Sequence, residues 1–173
     1  MAPSREHVHE FWRTLTDQGF RDDGPPGPRE QYGPDYYGAF VLDADDNSIE
    51  AVYNIGRRGL RRCIDHVWLR VRDVSVSKRF YETIGPVLNF GLAGEGPARA
   101  HFGAPTGAFT VTSPDDGWSA RRALTQNVQL AFAAPERATV DELQRVALAA
   151  GYRRDGAFVL DPDGNTIEAV DRT

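Results

Sequence analysis

Residues 38–52, GAFVLDADDNSIEAV, and residues 156–170, GAFVLDPDGNTIEAV, are two copies of one sequence and are identical at 12 of 15 positions without a gap. Each copy has the pattern of two short strands joined by an Asp- and Asn-rich turn. The duplication extends upstream, because residues 1–23 align with residues 133–155, whereas the first copy alone carries the 14 residues 24–37. An internal duplication of this kind predicts a chain built from repeated structural modules.

The middle of the chain has a weaker relation to its end. Residues 64–85, IDHVWLRVRDVSVSKRFYETIG, align with the segment that begins NVQLAFAAPERATVDEL, so that a strand falls on a strand, a helix falls on a helix, and His66 falls on Gln129. Residues 63–71 alternate between apolar and polar side chains, which predicts a half-buried strand. A helix follows, with Asp73 as its N-terminal cap and Gly85-Pro86 as its predicted end.

These patterns predict three modules and an α+β fold with helices on one face of sequential antiparallel strands. The middle module has the order β-α-β-β-β, the last has the order β-α-β-β, and the first has the order α-β-β-β without an opening strand. We therefore expect residues 1–54 to form a partial module, residues 55–62 to form a linker and residues 63–173 to form a two-module domain.

Composition excludes several classes of protein. The chain has 173 residues and a formal net charge of −5, and it has no cluster of Lys and Arg interleaved with aromatic residues, so we do not expect nucleic acid as a partner. It has neither an apolar run of about 20 residues nor a secretory signal, which favours the cytoplasm and no membrane association. Cys63 is the only cysteine, so a disulfide within the chain is excluded.

The modules carry a His in the first strand, IDHVWLRV, and a Glu in the last strand, NTIEAV. In this arrangement the chain resembles the vicinal oxygen chelate superfamily, which includes glyoxalase I, extradiol dioxygenases and bleomycin-resistance proteins. The resemblance covers nearly the whole chain. It implies the glyoxalase/bleomycin resistance/dioxygenase fold, in which paired βαβββ modules form a cup-shaped antiparallel sheet around one divalent metal.

The same resemblance implies a set of site residues. His66, Gln129 and Glu168 match the metal-ligand positions, and the available ligands favour Fe, Mn, Ni or Zn. In a glyoxalase-type reaction Glu168 is the catalytic base as well as a ligand. Trp68 and Arg70 share a strand face with His66 and are the expected substrate-binding residues, because the planar guanidinium of Arg70 suits a carboxylate or enolate oxygen.

Two departures from the family pattern keep the function open. Gln129 stands where the family more often has His, and a neutral amide binds metal more weakly than imidazole does. Thr110 and Thr112 stand where glyoxalase-type members carry Glu. The first hypothesis is a metal-dependent enzyme, a lyase/isomerase or a dioxygenase, acting on a small oxygenated or aromatic substrate. The second is a metal-free binding protein of the resistance type, and the third is a purely structural relic.

The pairing of modules is also open at this point. A cup within residues 63–173 pairs His66 with Glu168, whereas a cup that uses the first copy pairs His66 with Glu50. A third alternative is a longer protein with two cups. His101 is expected to be a surface residue of a strand. Because the first module lacks its opening strand, its sheet has an open edge, and a homodimer is the arrangement we expect to cover it.

Overall fold

The computed structural model describes residues 1–57, 64–105, 107–116 and 122–171. The chain divides into two compact units, Met1–Asp65 and His66–Thr173. Cys63 and most of the linker expected at residues 55–62 lie outside the described residues. Among the helices that the structure describes, none is long and apolar enough to cross a membrane.

The first unit places one helix on a three-stranded sheet. The helix α1 spans Arg5–Asp17, and the antiparallel sheet has the order β1 (Arg21–Pro28), β2 (Tyr36–Leu42), β3 (Ser48–Asn54). Val8 of the helix is fully buried and packs with Ala39 and Tyr53 of the sheet.

The insertion at residues 24–37 of the first unit is rich in Gly and Pro, and part of it forms regular structure. Its first residues extend the strand β1, and a 3-10 turn at Glu30–Tyr32 follows. The strand tolerates proline because it lies at the edge of the sheet, and its register with β2 shifts near Gly24.

The second unit contains two modules. The first consists of β4 (His66–Arg70), α2 (Val74–Leu88), β5 (Gly91–Gly96), β6 (Arg99–Ala104) and β7 (Gly107–Thr112), with the sheet order β4-β7-β6-β5. The second consists of β8 (Gln129–Ala134), α3 (Arg137–Ala149), β9 (Arg154–Asp155), β10 (Phe158–Leu160) and β11 (Thr166–Asp171), with the sheet order β8-β11-β10-β9.

The α+β fold built from βαβββ modules is therefore confirmed. The sheets are mixed, because the first and last strands of each module pair in parallel, β4 with β7 and β8 with β11. The second module also keeps the short strand β9, where the sequence pattern shows only two strands after the helix.

The helix α2 begins as predicted but ends later. The carboxylate of Asp73 accepts hydrogen bonds from the backbone N–H groups of Ser75 (2.9 Å) and Val76 (3.0 Å), as an N-terminal cap does. The predicted end at Gly85-Pro86 is wrong, because the helix continues to Leu88. Leu88 is buried, and the helix ends where Asn89 adopts a left-handed conformation with φ 56°. The next strand, β5, begins at Gly91.

The two modules of the second unit share one apolar core. Phe132 of β8 packs against Phe90 and Phe109 of the first module, at ring-centroid distances of 5.0 and 5.9 Å. Tyr152, which follows α3, meets Phe80 of α2 edge to face at 4.8 Å. Because the core is continuous, the relative position of the two sheets is set by packing within this unit.

Candidate functional site

The strand β4 has one apolar face and one polar face, as its alternation predicts. Leu69 and Val71 are buried in the core with α2. His66, Trp68 and Arg70 are half-buried and point to the opposite side of the sheet. The helix-free side of this sheet therefore carries the histidine, the aromatic ring and the guanidinium that were expected to form the site.

Neighbouring strands add further polar residues to the same side. Trp68 lies in register with Thr110, and Arg70 lies in register with Thr112. On the far side of β7, the strand β6 places two basic residues opposite the same threonines. We call this surface the first polar face, and it consists of His66, Trp68, Arg70, Arg99, His101, Thr110 and Thr112.

Thr110 and Thr112 are buried although they lie on the first polar face. Their exposed fractions are 3% and 0%, respectively. The hydroxyl of Thr110 forms a 2.9 Å hydrogen bond with Nδ1 of His101, and the hydroxyl of Thr112 donates to the carbonyl of Ala98 or the carboxylate of Asp116, each 3.2 Å away. The two buried threonines therefore form a polar floor beneath the half-buried residues of this face.

His101 belongs to the first polar face, although it was expected to be a surface residue of a strand. It is half-buried and bonded to Thr110. The alternation of Ala100 and Phe102, both fully buried, with Arg99 and His101 is the sequence signal that identifies it.

In the second module, the structure brings Gln129 and Glu168 into contact. Nε2 of Gln129 donates a 2.6 Å hydrogen bond to Oε1 of Glu168. The parallel pairing of β8 with β11 produces this contact, because Thr166 pairs with Gln129 and Glu168 pairs with Ala131, so all four side chains lie on one side of the sheet. Two of the three expected metal ligands therefore meet, whereas His66 lies on the sheet of the other module.

The divalent metal that the family resemblance implies requires about three protein ligands around one point. Within the described parts of the chain, no group of three His, Cys, Asp or Glu side chains is arranged to hold a metal. The amide of Gln129 directs an N–H group, which is a donor and not a metal ligand, at the carboxylate of Glu168. These residues do not fit a three-ligand metal centre in this arrangement.

The repeated acid of the first unit has a different partner. The hydroxyl of Tyr36 lies 2.8 and 2.9 Å from the two carboxylate oxygens of Glu50, which is the copy of Glu168. Burial and the neighbouring Glu50 raise the pKa of Tyr36 far above its usual value, so the hydroxyl remains a proton donor. Tyr36 belongs to the 14-residue insertion, so the acid is repeated but its partner is not.

The turn between β10 and β11 explains much of the duplicated sequence. Asp161 is 2% exposed, and its Oδ1 accepts hydrogen bonds from the backbone N–H groups of Asp163 (2.9 Å) and Asn165 (2.8 Å). Its Oδ2 accepts from the side chain of Asn165 (3.0 Å) and from the hydroxyl of Tyr81 (3.2 Å). Asp43 makes the equivalent turn with Asn47 in the first unit. The acids of these turns are therefore structural.

Comparison with protein families places most of the second unit in a known group. The family model described as the Glyoxalase/Bleomycin resistance protein/Dioxygenase superfamily matches residues 63–169. No match to the chain was found among the curated proteins.

Solved structures have the same fold. A glyoxalase/bleomycin resistance protein from Albidiferax ferrireducens T118 is 29% identical, with a TM-score of 0.53, and the match covers 64% of this chain and 98% of that one. A lactoylglutathione lyase from Agrobacterium tumefaciens is 17% identical, with a TM-score of 0.54, over 63% of this chain and 92% of that one.

Proposed function

Because the chain belongs to the glyoxalase/bleomycin resistance protein/dioxygenase superfamily, we propose that it binds a small oxygenated or aromatic molecule on the first polar face without a metal. Proteins of the family bind small molecules and commonly form dimers. The observation that supports this site is the polar floor of Thr110 and Thr112, which lies in register with Trp68 and Arg70. A ligand would bind against the half-buried residues that surround these threonines.

The residues around the floor favour a flat ligand with an acidic group. Trp68 offers an aromatic ring for stacking, and the fork of Arg70 matches the two oxygens of a carboxylate. His101, held by Thr110, adds an imidazole ring to the same surface. We therefore propose an aromatic carboxylate or a related enol as the ligand class, within the two-module domain at residues 63–173.

Calorimetric titration with benzoate and catechol tests this proposal. We expect saturable binding of benzoate to the full chain, and we expect Arg70→Lys to weaken it at least about tenfold because lysine cannot form the bidentate contact. The affinity for catechol, which lacks the carboxylate, should fall much less in Arg70→Lys. The matched control is Arg145→Lys, which alters an exposed arginine paired with Glu142 on α3. Absence of saturable binding for both probes, or equal losses in both variants, would contradict the proposal.

A second candidate function is the metal-dependent enzyme, a glyoxalase-type lyase/isomerase or an extradiol-type dioxygenase. It is favoured by the proximity of Gln129 to Glu168, because two of the three expected ligand positions lie side by side, although their hydrogen bond would have to break before a metal could bind. In this candidate His66, Gln129 and Glu168 would hold Fe, Mn, Ni or Zn, and Glu168 would also serve as the base.

Elemental analysis of protein purified without chelator separates the two candidates. Less than about 0.1 metal per chain in the wild type supports the metal-free function. Stoichiometric metal that is lost in both His66→Ala and Glu168→Gln supports the enzyme. If both variants still contain stoichiometric metal, the result contradicts the metal-free function and also the proposed metal ligands.

A homodimer is part of the proposed function, in keeping with the family. Light scattering coupled to size exclusion measures the molar mass directly. We expect about twice the 19.2 kDa of one chain. A mass equal to one chain at micromolar concentration would rule out the dimer.

A further inference from the structure

Arg99 is a residue of the first polar face to which the proposed function gives no role. It lies on β6 and pairs with Thr112 of β7, and Thr112 pairs on its other side with Arg70 of β4. The three residues form one row across the sheet, with a buried threonine between two half-buried arginines. Because residues that pair across neighbouring strands point to the same side of a sheet, both arginines belong to its helix-free side.

The sheet holds the two arginines of this row apart. Since β4 and β6 both neighbour β7 and strands are spaced by about 4.8 Å, the Cα atoms of Arg70 and Arg99 lie about 10 Å apart. The side chain of Arg99 also approaches β5, on the side away from Arg70. Its Cγ and Nε lie 3.8 and 3.9 Å from the position that a Cβ on Gly96 would take. Two separate acidic groups therefore fit this row better than one does.

The side chains of the first polar face favour an anionic ligand. The residues that define this face include two arginines and two histidines, and none of them is acidic. One acid lies beside the row, because a carboxylate oxygen of Asp116 is 3.2 Å from the hydroxyl of Thr112. Arginine suits a carboxylate because its planar fork donates two parallel N–H bonds. The row therefore has one bidentate donor on each side of its polar floor.

On the basis of the proposed function, we infer that the ligand is an aromatic dicarboxylate and that Arg99 binds its second carboxylate. Arg70 binds the first carboxylate, and the ring lies over the threonine floor beside Trp68. Arg99 is then the residue that determines specificity, because a monocarboxylate makes one bidentate contact and a dicarboxylate makes two. The separation of the two arginines selects a ligand whose acidic groups stand at opposite ends of its ring.

Calorimetric titration of the full chain with three aromatic acids tests this inference. Benzoate has one carboxylate, terephthalate has two at opposite ends of the ring, and phthalate has two at adjacent positions. We expect terephthalate to bind at least about tenfold more tightly than benzoate, because it adds one bidentate charged contact. Phthalate should gain less over benzoate, because its adjacent carboxylates do not span the distance between the two arginines.

Substitutions in the chain locate the second contact. Arg99→Gln should reduce the preference for terephthalate over benzoate to about one, because the second carboxylate loses its fork. Arg99→Lys keeps the charge without the fork and should show an intermediate preference, which guards against misfolding of the glutamine variant. Arg145→Gln, in an exposed arginine of α3, is the matched control and should keep the wild-type preference. Asp116→Asn should increase the preference, because a carboxylate repels a dianion more than a monoanion.

The outcomes separate this inference from the proposed function. If benzoate binds and terephthalate binds no more tightly, the inference is wrong while the proposed function stands. A preference for terephthalate that persists in Arg99→Gln would also overturn the inference, because another residue would then bind the second carboxylate. Equal affinities for phthalate and terephthalate would contradict the spacing on which the inference depends. If none of the three acids binds saturably, the inference and the proposed function both fail.

Discussion

The hydroxyl of Tyr81, on α2 of the first module, donates a 3.2 Å hydrogen bond to Oδ2 of Asp161, in the turn between β10 and β11 of the second module. Both side chains are buried, at 0% and 2% exposed. Burial and the nearby charge of Asp161 raise the pKa of Tyr81 well above its usual value, so the phenol stays protonated and remains a donor. This bond connects the helix of one module to the duplicated hairpin of the other.

Tyr81→Phe should therefore reduce the free energy of unfolding of the second unit by about 1–3 kcal/mol, because a buried carboxylate loses one of its donors. Chemical denaturation measures the change. Tyr152→Phe is the matched control, since Tyr152 lies in the same aromatic cluster and keeps its ring contact with Phe80, and it should cost less than about 0.5 kcal/mol. Equal losses in the two variants would show that the Tyr81 bond contributes nothing of its own.

The two copies of the turn asparagine should respond differently to the same substitution. Asn165 is fully buried, and its amide bonds to Asp161, to the N–H of Val128 (3.1 Å) and to the carbonyl of Thr125 (3.2 Å). Its copy Asn47 is exposed and bonds within its own turn. Asn165→Ala should cost about 3 kcal/mol because buried groups lose their partners, whereas Asn47→Ala should cost about 1 kcal/mol or less.

Hydrogen exchange of the β11 and β3 amides measures the loss of local stability in each hairpin separately. Faster exchange in β11 of Asn165→Ala, with little change in β3 of Asn47→Ala, is the expected result. A comparable effect in both copies would show that the contacts outside the turn do not matter.

Gly85→Ala should destabilise the second unit although alanine favours helices. A Cβ at Gly85 would lie 2.7 Å from the backbone oxygen of Phe90 and 3.0 Å from its ring, so the end of α2 would have to shift. Overpacking of this kind costs about 1–3 kcal/mol, which exceeds the gain of about 1 kcal/mol from helix propensity. Gly91→Ala is the control, because no atom lies within 4 Å of its added Cβ. Thermal unfolding should show a lower midpoint for Gly85→Ala alone.

Low pH should remove the stabilisation that Asp73 gives to α2 as its N-terminal cap. The N–H of Val76, followed by the side chain of Ser75, lowers the pKa of Asp73 below its ordinary value of 3.8. A lowered pKa in the folded state means that the cap stabilises the protein above that ordinary value and loses its effect as the pH falls through the lowered one. The difference in thermal midpoint between wild type and Asp73→Ala should therefore be large at pH 6 and should shrink as the pH is lowered progressively below that ordinary value.

Glu136 provides the control for the pH experiment. It is the acidic N-terminal cap residue of α3, and its side chain makes no capping hydrogen bond. Glu136→Ala should change the midpoint less than Asp73→Ala does at pH 6. A difference for Asp73→Ala that persists unchanged in acid would show that the charge of Asp73 does not stabilise the helix.

Local patterns in the sequence predicted most of the fold. The duplicated hairpin, the alternation of His66, Trp68 and Arg70 with buried residues, and the cap at Asp73 all depend on neighbours two or three positions apart. Such patterns can be read from the chain because a strand repeats every two residues and a helix cap acts within one turn. The modules and the inner and outer faces of β4 follow from them.

The partners of the repeated residues were decided by the tertiary structure alone. Glu50 is bonded by Tyr36 and Glu168 by Gln129, although the sequences around the two acids are nearly identical. Ile49 is exposed and Ile167 is buried because their strands have different neighbours. In the second unit β8 lies beside β11, whereas among the described residues of the first unit β3 is the edge strand of its sheet. The sequence of a strand determines which face it buries, but the strand packed beside it, distant in the chain, determines what each side chain contacts.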